Sequence, residues 1–96
     1  MSIESQPNER RRAPRKAASG VVELFFQPAT PIQPVHIQAN LVEISATGFR
    51  IAHQSPDLAP GLEFQMRYPS GETHQARVIW THFLNGERVS GCFFLD

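Results

Sequence analysis

Five basic residues fall within seven positions near the N-terminus, Arg10-Arg11-Arg12 and Arg15-Lys16, and the chemistry they offer is anion capture. A guanidinium is a planar fork of donors that grips a phosphate, or the N7 and O6 acceptors of a guanine, through two parallel hydrogen bonds. Taken alone, such a cluster is an ordinary solvated tail. A second polar group lies further along, in Glu43-Ile44-Ser45-Ala46-Thr47-Gly48. On a strand, Glu43 and Ser45 share one face, a carboxylate beside a hydroxyl, while Ile44 turns toward the core. Gly48 lets backbone approach a ligand closely or take positive φ. Taken alone, Ser-x-x-Gly before an alternating run is a simple turn, and Glu43 is a simple exposed strand residue.

The elements that must position these groups are strands. Residues 1–19 are polar, basic and broken by Pro7 and Pro14, a composition that reads as a flexible arm. From Val21 the texture changes to short β-rich runs separated by turn residues. The first run is Val21 to Phe26, ended by Pro28, Pro31 and Pro34, which lack the backbone donor that a central strand needs. The second covers Val35 to Ile44, with Ile37, Ala39 and Leu41 alternating against His36, Gln38 and Asn40. After the Gly48 bend come Phe49 to His53, then Leu62 to Tyr68, then Thr73 to His82, where alternation puts Ala76, Val78 and Trp80 on one face. That pattern makes Trp80 a core residue by default. Asn85-Gly86 is a strong hairpin signal, and a last strand runs from Val89 to Leu95. No stretch reads as a helix. The expectation is all-β: a small six- to seven-stranded antiparallel barrel over residues 20–96, with the flexible basic arm over 1–19.

Composition narrows the function classes. The chain has 96 residues and formal net charge zero, but residues 1–20 carry five basic and two acidic side chains, so the arm is +3 and the rest is −3. A small anionic partner suits that distribution better than a long nucleic-acid track. With a single cysteine, Cys92 in an apolar run, no internal disulfide is possible and an inert buried thiol is expected. No apolar run has membrane-spanning length, so the reading is cytoplasmic without membrane insertion. His36, His53, His74 and His82 lack a recognised metal spacing. Neither a phosphate loop nor a nucleophile elbow is present, so no catalysis and no cofactor are expected.

Arg11 and Arg15 form an RxxxR pair, and roughly thirty residues on Ser45 and Gly48 fit (D/N)xSxxG. In that order, ahead of and inside an all-β pattern, the two segments resemble the bacterial PilZ family. Val78-Ile79-Trp80 and Gly91-Cys92-Phe93 are similar to its downstream strands, so the likeness spans nearly the whole chain. The resemblance implies a receptor or adaptor for the second messenger cyclic di-GMP, with Arg10, Arg11, Arg12, Arg15, Glu43, Ser45, Gly48 and Trp80 as ligand contacts. Arg10, directly before the RxxxR pair, resembles members that bind a stacked, intercalated pair of ligand molecules. The signal would pass to a partner protein, in control of motility, biofilm matrix or virulence. One departure stands out: Glu43 occupies the place of Asp or Asn. Its extra methylene adds a torsion to freeze, costing on the order of 1 kcal/mol where the geometry does not adapt. Two alternatives follow. One is a degenerate PilZ domain acting only through protein contacts. The other is a single-strand-binding barrel stacking bases on Phe25, Phe49 or Trp80, against which the acidic body argues.

Overall fold

A computed structural model describes residues 16–17, 19–28 and 33–96. Its strands are β1 (Lys16–Ala17), β2 (Val21–Phe26), β3 (Val35–Ile44), β4 (Gly48–His53), β5 (Glu63–Arg67), β6 (Thr73–Leu84) and β7 (Glu87–Phe94). All pairings are antiparallel. The hydrogen-bonded order is β1-β3-β2-β5-β6-β7-β4, and β4 pairs back onto β3. Six strands therefore close into the expected barrel, and β1 lies outside the closure as an addition to β3. The arm read as running to residue 19 thus ends in a short paired strand.

Period-two alternation builds the wall. Val22, Leu24 and Phe26 of β2 point inward, whereas Glu23 and Phe25 are only half-buried on the outside. Inside, Leu24, Ile51 and Met66 are wholly buried, joined by Phe49, Phe64, Val78 and Cys92. Each such apolar side chain contributes about 1.5–3 kcal/mol through removal from water. Leu58, from the loop between β4 and β5, plugs one end of the barrel and is 1% exposed. Cys92 is inside as expected, and burial pushes its thiol pKa up to about 12, so it remains protonated and unreactive.

Two strand ends differ from the pattern expected from the sequence. β6 continues to Leu84 and β7 starts at Glu87 because Asn85 (φ 50°) and Gly86 (φ 81°) supply the two left-handed residues of a tight two-residue turn. The hairpin therefore closes without a longer loop.

Two bulges depart from strict alternation. In β3, Leu41 faces Ile51 but Glu43 faces Arg50, so Val42 is one residue extra. In β6, Val78 faces Cys92 but Trp80 faces Gly91, so Ile79 is one residue extra. Each extra residue exchanges the faces of everything beyond it. Trp80 therefore leaves the inward file of Ala76 and Val78 and lies on the outer face, a correction to the pattern that made it core.

Gly48 carries a steric demand of a different kind from the one expected. Its φ is not positive; instead a Cβ there would run into the Cys92 carbonyl oxygen and press on the Phe93 ring. Gly48→Ala should therefore cost the 1–3 kcal/mol typical of overpacking, roughly, measured by urea unfolding. Gly71→Ala, where φ is 97° but a Cβ meets nothing, should lose about 1 kcal/mol. Equal stability of Gly48→Ala and wild type would refute the close approach of β4 to β7.

Candidate functional site

Across four neighbouring strands the register sets one residue from each in line: Glu43 on β3, Arg50 on β4, Gly91 on β7 and Trp80 on β6. Phe49 and Ile51 on either side of Arg50 are buried in the core, so this row faces outward. Arg50 is its centre. Its Nη2 donates to Glu43 Oε1 at 2.8 Å, and its guanidinium lies 5.7 Å from the Trp80 ring centroid. The indole in turn packs beside His82, with ring centroids 4.8 Å apart. Gly91 makes this possible: a Cβ there would overlap the indole, so the bare backbone is the bed on which Trp80 lies.

The row mixes charge, a flat aromatic face and unmet hydrogen-bonding capacity. Among the described residues, the one buried side-chain nitrogen or oxygen without a hydrogen-bond partner is Arg50 Nε. Arg67, on the opposite wall, is already satisfied. Its Nε donates to Glu23 Oε1 at 2.9 Å and its guanidinium caps Phe25 at 4.9 Å, while Phe25 stacks on His36 at 4.4 Å. The hydrogen bond from Arg67 accordingly lowers the Glu23 pKa from its ordinary value, against a smaller opposing effect of burial.

Ser45 and Gly48 close the bend between β3 and β4. Ser45 N–H donates to the Gly48 carbonyl at 2.8 Å, and the Ser45 hydroxyl accepts from the N–H groups of Thr47 (3.3 Å) and Gly48 (3.2 Å). In this geometry the hydroxyl ties the turn. Of the other expected contacts, Glu43 and Trp80 share the row. Arg10, Arg11, Arg12 and Arg15 lie outside the described residues. The last described part of the arm is informative, however. β1 pairs Ala17 with Glu43 and Lys16 with Ile44, so the arm meets the barrel at the acidic end of the row.

The PilZ domain family matches the chain over residues 9–96, which takes in the arm, the bend and the barrel. The chain belongs to the PilZ family. PilZ domains are in general cyclic di-GMP-binding modules, and binding or adaptor domains rather than enzymes. Comparison with curated proteins gives no match. No helix among the described residues is long and apolar enough to cross a membrane.

Two residues of the row in this PilZ domain, Arg50 and Gly91, are not among the contacts expected from the sequence, and for Gly91 the signal was present. A two-residue Asn85-Gly86 turn sets Leu84 against Glu87, and counting back along both strands brings Trp80 opposite Gly91.

At the barrel end near Leu58, His53 Nε2 and Ser90 Oγ are 2.7 Å apart, the spacing of a base and its nucleophile. Ser90 is wholly buried, and its proton is committed elsewhere. Ser55 N–H can only donate, so His53 Nδ1 accepts it at 3.1 Å and Nε2 carries the proton given to Ser90. Ser90 then donates to Thr81 Oγ1 at 2.8 Å, and Thr81 donates to the Leu58 carbonyl at 3.3 Å. The chain of hydrogen bonds needs neutral His53. Burial first, and Arg88 second, lower its pKa from the ordinary 6.5.

Two outcomes follow. Below pH 6.5 the unfolded chain binds a proton at His53 that the folded barrel resists, so unfolding free energy should fall with falling pH, by at most about 1.4 kcal/mol per unit. Chemical unfolding at pH 7.5 and 5.5 reads this, and a His53→Leu variant should show a smaller difference between the two. Gly91→Ala should lift the indole into water and red-shift the Trp80 emission, and an unchanged spectrum would contradict the packing described.

Proposed function

We propose that this PilZ domain is a cyclic di-GMP receptor whose ligand lies across the outer row from Glu43 to Trp80, held there by the arginines of the arm. The observation that carries this reading is the docking of β1 beside Glu43. Arg15 is covalently next to Lys16, and Arg11 is four positions before Arg15. The RxxxR pair is thereby tethered to a wall that already offers a guanidinium, a carboxylate and an indole. Each matches part of the ligand. Arginine forks suit phosphate and the guanine Hoogsteen edge, a carboxylate accepts guanine N–H groups, and the indole stacks on a base. Arg10 and Arg12 supply further phosphate or stacking contacts, which favours an intercalated pair of ligands. Ser45 and Gly48 contribute through the bend, the hydroxyl by exchanging a turn hydrogen bond for one to base or phosphate.

Glu43 supports a second reading, a degenerate domain that acts by protein contacts alone. Its carboxylate is held by Arg50, so a guanine must compete for it. The competition is modest: with the two side chains 34% and 26% exposed, the pair lies nearer a surface ion pair, worth about 0–1 kcal/mol, than a dry buried one. The receptor reading therefore stands ahead. Signal output in it is a change of surface: a partner protein that prefers the ligand-bound state responds, in proportion to its differential affinity.

Isothermal titration of cyclic di-GMP tests this. Wild type should bind, with a ratio near two ligands per chain for an intercalated pair. Arg11→Ala and Arg15→Ala should each weaken binding roughly 10- to 100-fold, the loss of a charged hydrogen-bonding partner. Quenching of Trp80 fluorescence should track the same isotherm. Absence of heat, with no chemical-shift change at millimolar ligand, would establish the degenerate adaptor instead.

A further inference from the structure

Among the described residues barrel closure leaves short stretches of strand edge unpaired, such as residues 35–39 of β3 on the side away from β2, and a longer one on β6. β5 covers the outer edge of β6 only from Thr73 to Arg77, and the backbones of Gly61 and Leu62 then bond to Val78. From Ile79 to Leu84 no strand or loop backbone pairs with that edge among the described residues. The direction of the free groups follows from the hairpin. Its two-residue turn makes Leu84 and Glu87 a hydrogen-bonded pair, so the alternate residues Phe83 and Thr81 aim N–H and C=O away from β7.

The chemistry of this edge invites a strand. Residues 78–84 read Val-Ile-Trp-Thr-His-Phe-Leu, without Lys, Arg, Asp, Glu, Pro or Gly, so the usual charges and breakers that blunt an edge are missing. Ile79, Phe83 and Leu84 are 42%, 65% and 51% exposed, a high exposure for apolar side chains gathered on one segment.

We propose that this edge pairs antiparallel with the β6 edge of a second copy of this chain. An antiparallel edge is self-complementary about a two-fold axis. With His82 on the axis facing its own counterpart, Thr81 and Phe83 of each copy exchange hydrogen bonds with Phe83 and Thr81 of the other. Trp80 and Leu84 then flank the axis as apolar neighbours. Residues 78–84 carry no acidic or basic side chain, so the segment meets itself without like-charge repulsion; the nearest guanidinium, Arg88 of β7, lies 5.4 Å from the Phe83 ring on the neighbouring strand. The surface is small, so the association is weak and rises with concentration. It shares Trp80 with the proposed ligand row, so it is read on the chain without nucleotide.

Sedimentation velocity of the full chain without ligand, from micromolar to millimolar concentration, should show a monomer–dimer equilibrium. Phe83→Lys should abolish the dimer while leaving the thermal melt unchanged. Phe93→Lys, at an exposed apolar site away from the edge, should leave the dimer intact. Amide exchange of the wild type probes the same pairing without a substitution, and Thr81 and Phe83 should become protected as concentration rises. A chain that stays monomeric at millimolar concentration overturns the proposal, as does a dimer indifferent to Phe83→Lys.

Discussion

A strand has two faces, and parity along the chain decides which face a residue takes. In this barrel parity is reversed twice at the same level of the wall, by Val42 in β3 and by Ile79 in β6. Without the first bulge, the file of Ala39 and Leu41 would carry Glu43 into the core and Ile44 out of it. Without the second, Trp80 would follow Val78 inward. A buried carboxylate without a partner is costly enough that the fold could not absorb it. The bulges let one pair of strands serve a dry interior below and a polar, aromatic row above.

The side chains of that row are weakly held, while the backbone beneath them is not. A partly exposed ion pair and a guanidinium over an indole are each worth on the order of 1 kcal/mol. Gly48 and Gly91, by contrast, sit where even a methyl group has no room. The side chains of the row can thus exchange partners without disturbing the wall. The opposite outer face differs, because Glu23, Phe25, His36 and Arg67 satisfy one another.

Much of this architecture is legible in the residues. Alternation in Val21–Phe26 and Glu63–Arg67 and the Asn85-Gly86 turn carry the strands and their consecutive hairpins, because hairpin geometry is local, whereas the β2–β5 and β4–β7 pairings that close the barrel are long-range. The conflict between Leu41 inward and Ile44 inward was also legible, since no straight strand permits both. Its resolution at Val42 was not, because a bulge is decided by the register of β4, which is long-range information. Trp80 misled for the same reason. Gly48 stands out in the sequence as a bend, but the reason it must be glycine, the Cys92 carbonyl on a distant strand, does not. The burial of His53 and its partners Ser90 and Thr81 comes from three separate elements, and no spacing in the sequence announces it.

β3 illustrates how small an attachment can be. Along one side it bonds β2 through Asn40, then Gly20 O takes the Leu41 N–H at 2.8 Å, and only then does β1 pair, over Lys16 and Ala17. Two residues on the rim of a closed six-stranded wall share none of its cooperativity. Opening of β1 is therefore a local event with its own low free energy, separate from global unfolding. Amides of Ile44 and Glu43 on the β1 side can exchange freely while the rest of the barrel remains locked, so β1 has an opening equilibrium of its own that leaves the core untouched.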